Sequence, residues 1–217
     1  MLHPKYRWFF SVFVIATLAA LLVRLCVIED YRISSNSMSP ALVPGDLVFV
    51  YKSEYNLRIP FSSVELLKLT RPKLSDVAVF TLPDKDFQTF IKRIVAVEGD
   101  KVEIREGRLY LNDEPATYQS EDDLVRMTKD SHLVWEQTGN SPARLIHWAE
   151  DAMKDYGPVD VPPGHFFAMG DNRSDSVDSR VWGPIPASCL KGKAELVWLS
   201  VNPEGGLRKG RSGIRIK

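Results

Sequence analysis

The stretch "FIKRIVAVEGD", Phe90 to Asp100, decides how this chain folds. As a strand it turns Phe90, Lys92, Ile94 and Ala96 to one face and Ile91, Arg93, Val95 and Val97 to the other. The run stops at a Gly-Asp turn. Lys92 therefore stands with apolar neighbours on both sides. A lysine on such a face is desolvated, which lowers its pKa and makes it a candidate general base. The competing reading puts Lys92 on an exposed face, with its stem snorkelling to water.

Working outward, the same signals recur. "PGDLVFVY" (44–51) opens on a Pro-Gly turn and becomes β-rich, and "DVAVFTLP" (76–83) is a strand stopped by proline. "KVEI" and "LYLN" flank the turn "REGR" as a hairpin. "HFFAMGDN" (165–172) and "AELVWLSV" (194–201) are late strands. Helices are expected at "SSVELLKL" (62–69) and at "SPARLIHWAEDAMKDYG" (141–157), the second opening on a Ser cap with Pro in the first turn and stopping at Gly. The predicted fold is mostly β: an antiparallel β-sheet or barrel-like domain over 31–217. The polar, less regular stretch 106–160 reads as a smaller inserted subdomain. The basic tail "LRKGRSGIRIK" reads as a loose solvated end or as a segment leaning on anionic lipid.

Residues 1–30 differ in kind. "WFFSVFVIATLAALLV" (8–23) carries no charge and continues past Arg24 to Ile28. That is about twenty residues, the length of one membrane-spanning helix. Lys5 and Arg7 precede it and Glu29 and Asp30 follow, so the positive-inside rule keeps the N-terminus cytoplasmic and exports the rest. A cleaved signal peptide and a buried core helix are the competing readings. The first lacks an A-x-A site after the run, and the second lacks a polar face. Lys+Arg and Asp+Glu stand at 28 each, which argues against nucleic acid as the main partner. Cys26 and Cys189 form no CxxC or Cys/His ligand pattern, so no metal site is indicated.

Candidate nucleophiles cluster in "ISSNSMSPALVPGDLVFV" (33–50), a few residues beyond the apolar run. A serine hydroxyl needs a base. A Ser–His–Asp arrangement through His165 and Asp171 is conceivable, yet no G-x-S-x-G is present. "SCLK" (188–191) matches S-x-x-K without its companion motifs and is a chance match. "GDNRSDSVDSRVWGPIP" (170–186) fails as a calcium loop, because Arg173 holds the third ligand position and the sixth is not glycine. Its interleaved Arg and Asp suggest instead a hydrogen-bonded turn that orients something else.

In this order, behind an apolar N-terminus, "SNSMSPALVPGDLVFV", "SDVAVFTLP", "IKRIVAVEGDKV" and "GDNRSDSVDSRVWGPIP" resemble the bacterial type I signal peptidases. These are membrane-anchored serine proteases with a Ser–Lys dyad. The resemblance covers the anchor and most of 31–105 and 164–200. It implies Ser37 as nucleophile and Lys92 as general base. It implies Ser35 as oxyanion donor with the Ser37 N–H, Ser176 as the serine orienting the lysine, and Asp178 with Arg180 as a supporting ion pair. Tyr31, Ile33, Met38, Leu42 and Ile91 would line pockets for small residues. Three loops depart from the family pattern, at Leu74–Asp76, Pro40–Leu42 and Glu98–Asp100, and none touches the dyad.

The resemblance implies removal of signal peptides from exported preproteins at the inner membrane, after small A-x-A-like residues, with no metal or cofactor. From Ile28 to Ser37 is nine residues, at most about 30 Å of extended chain, so the serine stays near the bilayer surface. The alternatives are a LexA-like self-cleaving protease, a membrane-tethered β domain that binds partners without catalysis, and a Ser–His hydrolase.

Overall fold

The strand carrying Lys92, Gln88–Val97, is hydrogen-bonded along both edges, to Val77–Leu82 on one side and His165–Met169 on the other. It belongs to an eight-stranded antiparallel sheet in a computed structural model that describes residues 4–58, 65–120, 126–128, 131–148 and 153–216. The order across the sheet is Ile28–Arg32, Asp46–Tyr51, Leu190–Ser200, Val77–Leu82, Gln88–Val97, His165–Met169 and Ile185–Pro186, with Ile214–Arg215 paired to Leu190–Ser200. Val77–Leu82 is buried at every position, so it reads as a continuous apolar run rather than an alternation.

The described part of 106–160 is more regular than its composition suggests. Tyr156–Asp160, Lys101–Arg105, Arg108–Leu111 and Glu114–Pro115 form one four-stranded sheet. Thr117–Ser120, Ser131–Gln137, Arg126–Thr128 and Arg144–Trp148 form a second. The expected hairpin is present, with Arg105 opposite Arg108 across Glu106 and Gly107. Both turn residues have positive φ, 51° and 69°, the geometry a two-residue hairpin turn demands.

Where they are described, both expected helices contain strands instead, and residues 149–152 of the second lie outside the described residues. In 62–69, Glu65–Lys68 pairs with Asn56–Arg58, and residues 62–64 lie outside the described residues. In 141–157, Arg144–Trp148 pairs with Ser131–Gln137 from His132↔Trp148 to Glu136↔Arg144, burying Arg144 and Ile146. The Ser cap and Pro are local signals. A cross-strand partner of matching burial outweighs them, because propensity differences are small beside tertiary packing.

The basic tail is not a loose end. Arg211 forks onto the buried Asp46 carboxylate, with Nε 3.0 Å from each oxygen, and its Nη2 donates to the Ala41 carbonyl at 2.7 Å. Arg208 Nη2 donates to the Pro44 carbonyl at 3.1 Å, and Ile214–Arg215 adds to the main sheet.

An N-terminal helix runs Pro4–Cys26 and leads directly into Ile28–Arg32. Trp8, Phe9, Phe10, Phe13, Ile15, Leu18 and Leu21 are exposed on it. Among the described residues no helix is long and apolar enough to cross a membrane, and the side chains at 4–7, 19, 20, 22, 23, 25 and 26 lie outside that set.

Candidate active site

Ser37 sits in the loop between Ile28–Arg32 and Asp46–Tyr51, a turn closed by Leu42 N–H donating to Met38 O at 2.8 Å. Lys92 projects from the middle of its strand. The two meet: Lys92 Nζ lies 2.6 Å from Ser37 Oγ. Lys92 is 4% exposed, and burial lowers its pKa to about 8. Asp178, Asp171 and Asp175 pull the other way and Arg180 adds to the lowering, yet desolvation dominates. A charged Lys92 donates to Ser37 Oγ. A neutral one accepts from it, which is the arrangement proton abstraction needs.

Ser35 Oγ is 3.2 Å from Ser37 Oγ, so both hydroxyls face the same space. Among the described residues the Ser37 backbone N–H has no intramolecular acceptor. Beside them opens a cleft of about 500 Å³, lined in part by Tyr31, Ile33, Val79 and Ile91. Met38 and Leu42, expected at the pockets, do not line it. Both are fully buried in the core with Val48, Val77 and Ala194, where the turn after Ser37 anchors itself.

The 170–182 loop supports the pair. Asp178 and Arg180 form a forked ion pair, Nε–Oδ1 and Nη2–Oδ2 both at 2.8 Å. Asp178 also accepts from the Gly170 N–H at 2.9 Å and the Ser176 hydroxyl at 2.7 Å. Burial would raise its pKa, but Arg180 and these donors outweigh burial and lower it. Ser176 thus bonds to Asp178, while Lys92 bonds to Ser37. Ser176 and Ser37 are drawn together through Gly170: a Cβ there would collide with Ser176 Oγ and the Ser37 carbonyl oxygen.

Sequence reasoning assigned no role to Gly170, nor to the clamp beside it. Arg93, next to the lysine but on the opposite face, grips Asp171 with two 2.7 Å bonds, both residues buried. The signal was present: an arginine between Ile91 and Val95 on an apolar face needs a buried carboxylate. The Asn172 N–H then donates to the Ser37 carbonyl at 3.1 Å, and Asn172 Nδ2 donates to the Asn36 carbonyl at 3.3 Å. A Ser–His–Asp set does not assemble, since Asp171 is engaged by Arg93 and His165 lines a different cavity with Arg71 and Glu98. Among the described residues no cluster of His, Cys, Asp and Glu could hold a metal ion.

This geometry coincides with a match between residues 6–199 and the family described as signal peptidase, peptidase S26. The chain belongs to that family. It is 32% identical over 196 residues to a signal peptidase I of Pseudomonas fluorescens, covering 83% of this chain and 68% of that protein. It is 31% identical over 215 residues to a signal peptidase I of Rickettsia akari, covering 90% of this chain and 80% of that one. A solved signal peptidase I from Enterococcus faecalis overlaps 58% of this chain and 98% of its own at 25% identity, with a TM-score of 0.39. As a member of this family the chain is a serine endopeptidase, a hydrolase of peptide bonds.

Proposed function

We propose that this chain removes signal peptides from exported preproteins by a Ser37–Lys92 dyad acting through an acyl-enzyme. The observation that carries the reading is the 2.6 Å contact between a buried amine of lowered pKa and a serine hydroxyl at the mouth of a cleft. Neutral Lys92 takes the Ser37 proton as Oγ attacks the scissile carbonyl. The Ser37 N–H and the Ser35 hydroxyl receive the developing oxyanion, where one such donor is typically worth roughly 3–4 kcal/mol. The lysinium protonates the leaving amine, and the new N-terminus departs. Water, deprotonated by Lys92, then hydrolyses the ester and restores Ser37. Asp178, Arg180 and Ser176 hold the loop against which the dyad rests.

Small residues on the acyl side are cut preferentially, because Tyr31, Ile33 and Ile91 crowd the cleft beside Ser37. The N-terminal helix anchors the enzyme in the inner membrane with the catalytic domain exported. Two features support this: the uncharged run 8–23 and the exposed aromatic and aliphatic side chains of that helix. At about 1.5 Å per residue its 23 residues reach the thickness of a hydrocarbon core.

The test is cleavage of a preprotein by detergent-solubilised wild type, Ser37→Ala, Lys92→Ala and His165→Ala. The first two substitutions abolish cleavage and the third leaves it intact. Cleavage by either dyad variant would overturn the mechanism.

A further inference from the structure

The inserted sheets reach the catalytic loop at one fully buried carboxylate. Glu136, on Ser131–Gln137, accepts from Arg173 twice, Nη1 to Oε2 and Nη2 to Oε1, both at 2.5 Å. Arg144 Nη2 donates to Oε1 at 2.5 Å and the Tyr118 hydroxyl donates to Oε2 at 3.1 Å. Glu136 and Arg173 are 0% and 1% exposed. Tyr118, Glu136 and Arg144 belong to the insert, whereas Arg173 belongs to the loop that begins at Gly170.

From Arg173 the contacts lead to the nucleophile. Its Nε donates to the Gly170 carbonyl at 3.1 Å, and its own carbonyl accepts from Arg180 Nη1 at 2.8 Å. Gly170 packs against the Ser37 carbonyl, and Asn172 donates to that same oxygen. The insert also lines up beside the loop through its backbone. His147 N–H donates to the Asp171 carbonyl at 2.9 Å, Arg173 N–H donates to the His147 carbonyl at 3.0 Å, and His147 Nε2 is 3.2 Å from Ser39 Oγ.

Burying two guanidinium groups and a carboxylate is a poor route to stability alone, since well-packed apolar residues commonly do as well. What a forked Arg–carboxylate pair adds is fixed position and orientation. Burial would raise the Glu136 pKa, but Arg173 and Arg144 outweigh it and hold the carboxyl near 2, so the clip stays charged across the working range.

We infer that Glu136 is a positioning residue for peptide cleavage: through Arg173 the inserted sheet sets where the 170–173 loop holds the Ser37 backbone against Lys92. This rests on the Ser37–Lys92 reading above.

The experiment measures kcat and KM on the full chain in detergent with a synthetic signal-peptide substrate, well below the melting temperature. Glu136→Gln keeps the shape and removes the charge. It lowers kcat roughly ten- to a hundredfold, the effect of small misplacements in an active site. KM changes by less than about twofold, because binding in the cleft is not touched. A folded Glu136→Gln protein with wild-type kcat, or with a raised KM and unchanged kcat, overturns the inference. If Glu136→Gln does not fold, Glu136→Asp decides. It keeps the charge one methylene short, so a lowered kcat supports positioning and a wild-type kcat refutes it. Ser37→Ala and Lys92→Ala run alongside. Activity in either means the dyad reading fails. Their inactivity beside a fully active Glu136→Gln means that only the present inference fails.

Discussion

Gly170 packs so closely against Ser37 that no methyl group fits between the glycine and the serine's carbonyl oxygen. The backbone of Gly170 is not in the left-handed region, so the requirement for glycine is one of space.

Gly170→Ala therefore forces the 170–173 loop away from Ser37. The expected result is a folded protein whose kcat falls about a hundredfold, since a displacement near 1 Å can cost that much. Circular dichroism and steady-state kinetics on the purified variant check it. A rate within a factor of about three of wild type would mean the loop yields without moving Ser37.

On the proposed dyad, the pH dependence follows from Lys92. Its folded pKa is lowered to about 8, and only the neutral amine accepts the serine proton. Activity should rise about tenfold per pH unit below 8 and level off above it. The kcat/KM profile reports the free enzyme, so its acid limb should bend near pH 8. A limb centred near the ordinary histidine value, about 6.5, would implicate a different base.

The same shift carries a stability cost. The unfolded chain protonates Lys92 near its ordinary 10.5 and the folded chain only near 8. Stability therefore rises with pH between those values, and below 8 the folded state carries the full cost of a buried ammonium. At about 1.4 kcal/mol per unit that cost is roughly 3 kcal/mol. Lys92→Met, similar in bulk and uncharged, should be inactive yet more stable by about 1–3 kcal/mol at pH 7, with the gain vanishing toward pH 10.5. Urea denaturation across that range measures it.

The tail carries a fourth expectation. Arg211 satisfies Asp46 and two carbonyls of the Pro40–Ala41 turn, three and four residues beyond Ser37. Arg211→Ala leaves the buried Asp46 with Ser200, Arg208 and the Val43 N–H and should cost about 1–3 kcal/mol. For a chain of this size that lowers the melting temperature by about 2–4 °C per kcal/mol. An unchanged melting temperature would show the strap to be incidental.

How much of this was legible in the sequence depends on the range of the forces involved. The strands around Phe90, Val48 and Phe167 were readable because alternation, β-branching and terminal turns are local. The hairpin at Glu106–Gly107 was readable for the same reason. Arg144–Trp148 was misread as a helix because its Ser and Pro are local signals, whereas its partner strand lies on the far side of a loop. Ser37 and Lys92 were paired through a family resemblance, and nothing local states that residues 55 apart touch. Glu136 carried no signal: an isolated glutamate in a polar stretch looks like surface until Arg173 and Arg144 close around it.

The order of strands has one more consequence. Leu190–Ser200 sits between Asp46–Tyr51 and Val77–Leu82, so the sheet that brings Ser37 to Lys92 stays open until nearly the whole chain has been made. Ser37 leaves the ribosome early, with Lys92, the Arg93–Asp171 pair and the central strand still to come. The proposed Ser37–Lys92 pair therefore depends on a strand made late in the chain.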